Sequence, residues 1–147
     1  MVIETATQGD IPGLADLLTI LFTQEADFQP DTARQAKGLR QIIENPQIGH
    51  ILVMRQGETI SGMVNLLYTI STALGGRVAI LEDMIVHPDH RGGGAGSLLL
   101  DAAKELAKQQ GCLRITLLTD SINDAAIRFY ERHGFRRSAM TPLRLVF

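Results

Sequence analysis

The apolar positions in the first part of the chain follow a helical period, after a short alternating segment at residues 2–7 that is typical of a strand. Asp10 is suited to cap a helix, and Pro12 fits its first turn because a missing N–H costs little there. The predicted helix extends to about Gln24. Its apolar stripe consists of Leu14, Leu17, Leu18 and Leu21.

Beyond this helix the sequence predicts a polar loop around Pro30 and a second helix over residues 32–44. The period then changes to two, which is the period of a β-strand. Three successive strands with short connections are predicted, at residues 50–55, 59–70 and 77–87. Strands connected in this way form an antiparallel meander.

The second half of the chain has the pattern of a strand–helix–strand unit. A glycine-rich turn leads to a helix over residues 94–110, which Gly111 ends, and the apolar strand 113–119 follows. Such a unit makes its two strands parallel. A last helix is predicted to start within residues 120–123 and to end near Arg132.

The segments at residues 135–137 and 142–147 offer one or two terminal strands. The whole chain, residues 1–147, is therefore predicted to be one α+β domain. We expect a mixed, mostly antiparallel and twisted sheet of six or seven strands with about four helices. A chain of 147 residues is long enough to bury one hydrophobic core.

Composition narrows the class of protein. The formal net charge of −2 argues against a general nucleic-acid binder, which normally has an excess of basic residues. No apolar stretch approaches the ~20 residues that span a membrane. The single cysteine, Cys112, suits a reducing compartment, and no His and Cys residues have the spacing of a zinc site. We therefore expect a soluble, cytoplasmic protein that holds no metal.

A run of glycines lies between a predicted strand and a predicted helix. It comprises Gly92, Gly93 and Gly94, with Gly96 after one further residue. Glycines allow positive φ angles, so backbone N–H groups can converge on a ligand. The first N–H groups of the following helix have no partner within the helix and attract anions. A phosphate or pyrophosphate fits this position, and Arg91 adds a cation beside it.

Two other nucleotide-binding loops do not fit these residues. A P-loop requires a lysine followed by serine or threonine at the start of the helix, and no lysine is present at this point. The dinucleotide fingerprint Gly-x-Gly-x-x-Gly fails at its third glycine, where Ser97 or Leu99 stands. A flexible turn without a ligand is the simple alternative.

The pattern of Arg91, Gly94 and Gly96 resembles the acetyl-CoA pyrophosphate loop of the GNAT superfamily of N-acetyltransferases. Residues 81–97 (LEDMIVHPDHRGGGAGS) follow the order of that family's strand, turn and loop. A second family signature is matched from Asn123 to Ala126 and by FYERHGF further on, so the resemblance is close over residues 80–135.

The resemblance implies the α/β/α GNAT fold and acetyl-CoA as the co-substrate. The backbone of residues 84–86 would pair with the pantetheine arm like an additional strand. The cofactor-binding residues expected from loop, strand and last helix together are Met84, Ile85, Val86, Arg91, Gly92, Gly93, Gly94, Ala95, Gly96, Ser97 and Asn123.

Acyl transfer from a thioester to an amine requires a base, because an alkylamine with a pKa near ~10 is protonated at neutral pH. Glu82 is the candidate base. Its strand resembles the one in GNAT members that act on polyamines and on glucosamine 6-phosphate. Asp83 should point to the opposite face of the strand, where pairing with a cation such as Arg77 or Arg114 is its alternative role.

Tyr130 is the candidate acid for the departing sulfur, because a phenol stays protonated at neutral pH. It matches the tyrosine of the family's Phe-Tyr pair, and it shares one helix face with Asn123 seven residues earlier. Phe129 should lie in the core. By resemblance, the N–H of Met84 is the expected donor to the thioester oxygen.

Several basic residues follow on the last helix. Arg132 is a candidate for contact with the 3′-phosphate of CoA, with a solvated surface as the alternative. His87, His90 and His133 are interpreted as ordinary loop or helix-end residues. Cys112 is disfavoured as an acyl carrier because it is expected to be buried.

The predicted function is direct transfer of the acetyl group of acetyl-CoA to a primary amine of a small molecule or peptide, in a ternary complex. The acidic pair Glu82 and Asp83 suggests a cationic amine. The alternative is a non-catalytic regulatory domain that binds CoA or acyl-CoA. A homodimer is common in this family, and the terminal strands could extend the sheet of a neighbouring copy.

Overall fold

The computed structural model describes residues 1–25 and 29–147, so part of the predicted loop around Pro30 lies outside the described residues. The strands are β1 (Val2–Thr5), β2 (Gly49–Gln56), β3 (Thr59–Ser71), β4 (Gly76–Val86) and β5 (Ile115–Leu117). The α-helices are α1 (Ile11–Gln24), α2 (Thr32–Ile43), α3 (Ala95–Gln109) and α4 (Asp124–Arg132). Short 3-10 turns occur at Gln8–Asp10 and Pro88–His90.

The described strands form one sheet in the order β1-β2-β3-β4-β5. The first four strands are antiparallel neighbours, whereas β5 runs parallel to β4. The predicted meander, the strand–helix–strand unit and the α+β fold class are thus confirmed.

The described part of the chain has five strands in its sheet instead of six or seven. Residues 135–137 and 142–147 form no strand, and β5 is shorter than the predicted strand 113–119. Pattern alone predicted these segments, but a strand forms only where a neighbour accepts its N–H and C=O groups. Among the described residues, no strand lies beside these terminal segments.

The two faces of the sheet carry separate hydrophobic layers. Helices α1 and α2 cover one face, where Leu14 and Leu17 pack with Val53 of β2. Helix α3 covers the other face, where Leu99 packs with Leu66 of β3. The central strands β2, β3 and β4 contribute side chains to both layers, as expected for strands covered on both faces.

Asp10 does not cap α1 through its side chain. Its carboxylate accepts the Thr7 N–H at 2.9 Å, and the Arg55 guanidinium donates to both of its oxygens at 2.9 and 3.1 Å. Arg55 also donates to Glu4 of β1 at 2.8 Å. The hydrogen bonds from Arg55 hold the pKa of Asp10 below its ordinary value. This group joins the start of α1 to β1 and β2.

We expect Asp10→Asn to lower the free energy of unfolding by about 1–3 kcal/mol at pH 7, because Arg55 loses a charged partner. The pKa of Asp10 is lower in the folded state than in the unfolded state. Its contribution is therefore complete above about pH 4 and decreases as the pH falls towards the folded-state pKa. Urea unfolding at pH 7, 4 and 2 measures this difference.

The control is Glu4→Gln, which removes the more exposed partner of Arg55 and should cost less. A difference between wild type and Asp10→Asn that stays constant from pH 7 to pH 2 would contradict this account of the ion pair.

Candidate active site

A cleft opens where the parallel strands β4 and β5 separate. The two strands pair only from Ala79 to Leu81, opposite Ile115 to Leu117, whereas β4 continues to Val86. The cleft has a volume of about 290 Å³. Its lining comes from α1, β4, α3, α4 and the loops after β4 and β5. The lining residues are Leu21, Gln24, Glu25, Leu81, Glu82, Met84, Ile85, Val86, Arg91, Gly96, Leu118, Thr119, Asp120, Asn123, Ala126, Phe129 and Tyr130.

Glu82 occupies a β-bulge at the edge of this cleft. In the β3–β4 ladder Asn65 lies opposite Asp83 and Leu66 lies opposite Leu81, so Glu82 is the extra residue between them. A bulge bends its strand and re-aims the side chains around it. The exposed Glu82 lines the cleft, whereas Asp83 does not.

Asp83 points into the protein and pairs with an amide. Asn65 Nδ2 donates to Asp83 Oδ2 at 3.3 Å, and burial raises the pKa of Asp83 to about 6. The ion pair of Asp83 with Arg77 or Arg114 is not formed among the described residues; the Arg77 guanidinium instead lies over the Tyr68 ring at 4.8 Å.

The backbone of β4 beyond the bulge presents polar groups to the cleft. The His87 N–H donates to the Ser61 carbonyl at 2.7 Å, which sets the phase of the antiparallel ladder. The N–H and C=O groups of Ile85 therefore face β3, and those of Met84 and Val86 point the other way. Arg91 Nε donates to the Val86 carbonyl at 2.9 Å. The N–H and C=O of Met84 and the N–H of Val86 face the gap.

The glycine-rich loop adopts the conformation that its sequence predicts. Gly92, Gly93 and Gly94 have φ angles of +88°, +62° and +83°. A Cβ on any of these glycines would have nothing within 4 Å, so glycine is required for its backbone conformation and not for space. The Leu98 N–H reaches the Gly94 carbonyl at 3.0 Å, so the N–H groups before it have no helical acceptor. Such free N–H groups at a helix terminus are suited to an anion.

Helix α4 brings two predicted residues to the cleft. Asn123 caps this helix, with its Oδ1 accepting the Ala126 N–H at 3.1 Å. Tyr130 lies on the same side, and among the described residues its hydroxyl has no hydrogen-bond partner. Burial, with a smaller effect from the Glu25 carboxylate, raises the pKa of Tyr130 to about 12. The phenol is therefore neutral throughout the physiological pH range.

The remaining predicted residues differ in their distance from the cleft. Arg91 and Gly96 line it, and Ala95 is buried behind the loop. Ser97 is half-buried, and its Oγ lies 3.0 Å from His133 Nε2. Arg132 is exposed and is not part of the lining. Phe129 both lines the cleft and packs against the layer under α3.

Pattern analysis did not identify the residues that α1 contributes. Leu21, Gln24 and Glu25 form one wall of the cleft, although they are remote from every motif in the sequence. A position in the last turn of an amphipathic helix carries no local signal for a binding site. The bond between Ser97 and His133 was also missed, because it joins residues far apart in the chain.

In the described ranges, no helix is long and apolar enough to cross a membrane, and no three potential metal ligands lie together. The cleft thus combines a strand edge that has no neighbour among the described residues and a helix terminus whose free N–H groups suit an anion.

The Acetyltransferase (GNAT) family matches residues 13–135. YhfO, an uncharacterised N-acetyltransferase of Bacillus subtilis, is 33% identical over 138 residues, which cover 92% of this chain and 89% of that protein. The aminoalkylphosphonate N-acetyltransferase of Salmonella typhimurium is 30% identical over 133 residues, covering 90% and 83%. An integron cassette protein structure from the mobile metagenome of Cole Harbour Salt Marsh has a TM-score of 0.84 at 26% identity, covering 98% and 89%.

The chain belongs to the GNAT family of acetyltransferases. It is an N-acetyltransferase of the family that uses acetyl-CoA as its co-substrate, which confirms the predicted family and activity. These comparisons give no support to the alternative of a non-catalytic regulatory domain.

We expect Gly93→Ala to raise the KM for acetyl-CoA about five- to thirtyfold. An L-residue in the left-handed region costs roughly 1–2 kcal/mol, so the loop relaxes and its N–H groups turn away from the ligand. Steady-state kinetics with varied acetyl-CoA measures the effect. Gly38→Ala in α2, where a Cβ also meets nothing within 4 Å, is the matched control and should leave KM unchanged. An unaltered KM in Gly93→Ala would rule out this role for the loop.

Proposed function

We propose that this protein is a single catalytic domain that moves the acetyl group of acetyl-CoA directly to the primary amine of a small molecule, in a ternary complex. One observation carries the proposal. Glu82, the outward backbone of Met84 and the neutral phenol of Tyr130 line the same cleft. Acetyl-CoA supplies the thioester, and these groups match the base, the oxygen donor and the sulfur donor that acyl transfer requires.

Glu82 acts as the base in this proposal. Its carboxylate is exposed at the rim of the cleft, so it can take the amine proton directly or through one water molecule. The bulge is important for this role, because it turns Glu82 out of the β3–β4 ladder while Asp83 stays in the protein. Glu82 first takes one proton from the ammonium group and passes it to solvent. The neutral amine then forms the C–N bond as the C–S bond breaks; the electron pair goes to sulfur and the second amine proton goes to Glu82.

The oxygen and the sulfur each require a hydrogen-bond donor. The Met84 N–H faces the gap and is the donor assigned to the oxygen, which gains negative charge. The Tyr130 hydroxyl is assigned to the sulfur. With a pKa of about 12, against ~8.5 for a thiol, it stabilises a thiolate by donating a hydrogen bond and does not transfer its proton completely.

The loop residues and the edge of β4 are assigned to the cofactor. The helix terminus after Gly94 fits the diphosphate, and the outward groups of Met84 and Val86 fit the amide-rich arm. Asn123 has an NH₂ group left to donate, since its oxygen caps α4. Arg132 is assigned to the 3′-phosphate as a peripheral contact.

Direct transfer is favoured over a covalent acetyl-cysteine. Cys112 lies among the partly buried residues of the layer under α3, and burial raises the pKa of its thiol. It is not among the residues that line the cleft. A thiol in this position is a poor nucleophile.

The acceptor in this proposal is a small aliphatic amine. The carboxylates of Glu25 and Glu82 both line the cleft, and two negative groups favour a ligand that arrives as a cation. Similarity to the aminoalkylphosphonate N-acetyltransferase of Salmonella typhimurium adds aminoalkylphosphonates to the amines to be tested.

The proposal is tested by incubating the protein and acetyl-CoA with a panel of amines and measuring released free thiol. The panel comprises polyamines, amino acids, aminoalkylphosphonates and glucosamine 6-phosphate. Glu82→Gln should lower kcat on every responsive amine about 10²–10⁴-fold, the usual contribution of a base. Tyr130→Phe should lower kcat with little change in the KM for the amine.

The matched control is Asp83→Asn, which removes a neighbouring carboxylate outside the cleft and should reduce kcat much less. Thermal shifts with acetyl-CoA, CoA, ATP and NAD accompany the assay, since a bound ligand stabilises the folded state. Stabilisation by ATP or NAD but not by CoA would exclude the assigned cofactor site. Full activity of Glu82→Gln would exclude Glu82 as the base.

We also propose a cytoplasmic homodimer in which residues 142–147 add a strand to the sheet of a second copy. Leu143, Leu145 and Phe147 alternate along this segment and are 94%, 79% and 111% exposed. In the described structure, the outer edge of β5 has no strand beside it. Exchange between copies would give the edge of β5 a neighbouring strand and would cover the exposed side chains of Leu143, Leu145 and Phe147.

Replacing both Leu143 and Leu145 by Glu should convert the dimer into a monomer, because the exchanged strand would bury two charges. Size-exclusion chromatography with light scattering at several protein concentrations measures the mass. The control is Ile70→Glu, which changes an exposed apolar side chain near the C-terminal end of β3 and should leave the mass unaltered. A wild-type protein that is monomeric at all concentrations would contradict the proposed exchange.

A further inference from the structure

A chain of polar side chains joins α3 to α4 beside the glycine-rich loop. The Ser97 Oγ lies 3.0 Å from His133 Nε2, and His133 Nδ1 lies 3.5 Å from an Asp101 carboxylate oxygen. Only 15% of the His133 side chain is exposed, and its ring packs on the Phe129 ring at 4.8 Å between centroids. Lys104 Nζ donates to the His133 carbonyl at 3.2 Å. The imidazole is therefore held on several sides.

Ser97 lies next to the helix terminus that the proposed function assigns to the diphosphate. It is in the first turn of α3, after Gly94 and Gly96, where backbone N–H groups have no helical acceptors. An anion at this helix terminus lies within reach of the Ser97 hydroxyl. The Ser97 hydroxyl already forms a hydrogen bond with His133. The positions of the protons on these two residues therefore decide whether the hydroxyl can donate a hydrogen bond to the anion.

A neutral imidazole has one N–H, and its position is set by the neighbouring carboxylate. An Asp101 carboxylate oxygen lies 3.5 Å from Nδ1, and its negative charge favours the tautomer with the ring proton on Nδ1, which leaves Nε2 as an acceptor. The Ser97 hydroxyl must then donate its single proton to Nε2. It has only lone pairs left for a phosphate, which is itself an acceptor.

A protonated imidazole reverses this arrangement. Both ring nitrogens then carry a proton: Nε2–H donates to the Ser97 oxygen, and the positive ring forms an ion pair with Asp101. The Ser97 O–H becomes available to a phosphate oxygen, with a positive charge behind it. A proton on His133 and an anion at the α3 terminus therefore favour each other, and this linkage is reciprocal.

We propose that His133 is a positioning residue of the cofactor site, which takes up a proton when the diphosphate of CoA binds and so turns the Ser97 hydroxyl into a donor to it. This inference rests on the proposed function, because it takes the α3 terminus as the diphosphate site. The charged groups from α3 that face this part of the chain are Asp101 and Lys104, which lie 4.0 Å apart. Because the charges of Asp101 and Lys104 are opposite, the charge that changes on binding is the negative charge of the diphosphate, and it favours protonation of His133.

The experiment is calorimetry of 3′-dephospho-CoA binding in two buffers with different enthalpies of ionisation. This ligand keeps the diphosphate and lacks the phosphomonoester, whose own titration near pH ~6 would confuse the result. Wild type is compared with His133→Gln, which can donate one N–H to Ser97 but cannot take up a proton. Wild type should absorb a fraction of a proton that the variant does not.

The pH dependence of 3′-dephospho-CoA binding compares the same two proteins through the ratio of their dissociation constants. The Kd of His133→Gln divided by that of wild type should increase at least about fivefold as the pH is lowered from 8 to 6, the lower end of typical coupling between linked sites. The KM for acetyl-CoA should follow this ratio, while kcat and the KM for the amine change little. A purely structural role would lower affinity equally at both pH values.

Two further variants complete the experiment. Ser97→Ala should abolish the extra proton uptake although His133 is intact. If His133→Gln is unstable, Ser97→Ala replaces it in the comparison with wild type. His50→Gln is the matched histidine control. His50 bonds Tyr68 at 2.7 Å, near the C-terminal end of α3 and roughly 20 Å along that helix from Ser97, so it should behave like wild type.

The outcomes separate this inference from the proposed function. Binding with equal proton uptake in wild type and His133→Gln, or uptake that persists in Ser97→Ala, overturns the role of His133 and leaves the cofactor site standing. If wild type binds neither acetyl-CoA nor 3′-dephospho-CoA, the cofactor site and this inference are both overturned.

Discussion

The early end of the pairing between β4 and β5 is the constraint on which the rest of the site depends. β4 has a strand partner on both edges only up to Leu81, and from there to Val86 one edge has no strand beside it in the described structure. Backbone groups on such an edge must find other partners, because an unpaired buried N–H or C=O is costly. In the proposed function an extended, amide-rich ligand supplies them, in a cleft that Glu82 and Tyr130 also line.

The bulge at Glu82 makes this edge useful for chemistry. An uninterrupted ladder would place Glu82 opposite a residue of β3, with its side chain on one of the two covered faces of the sheet. The extra residue lets Leu81 and Met84 both join the layer under α3, while Asp83 turns to Asn65. Two adjacent carboxylates thereby lie in different environments: Glu82 is in solvent at the cleft, whereas Asp83 is partly buried and its pKa is raised to about 6.

The second wall of the cleft depends on how α4 is held. This helix has no buried residue of its own, yet Phe129 packs beside Gly96 and His133 bonds Ser97, both in the first turn of α3. The phosphate-binding terminus and the helix that carries Tyr130 are therefore connected by direct contacts. A change at either helix alters the geometry of the other, which is why a histidine at the end of α4 can influence a ligand at the start of α3.

The sequence by itself determined the elements whose signals are local. Leucine spacing predicted α1, alternation predicted β2 to β4, and three successive glycines before a helix predicted a left-handed turn, because each depends only on residues that are close along the chain. The tertiary structure alone decided the bulge at Glu82, the wall that α1 supplies through Gln24 and Glu25, and the partner of Ser97. It also left Leu143, Leu145 and Phe147 exposed in the single chain. These features arise from contacts between residues remote in sequence, and the pattern of any one segment carries no information about what packs against it.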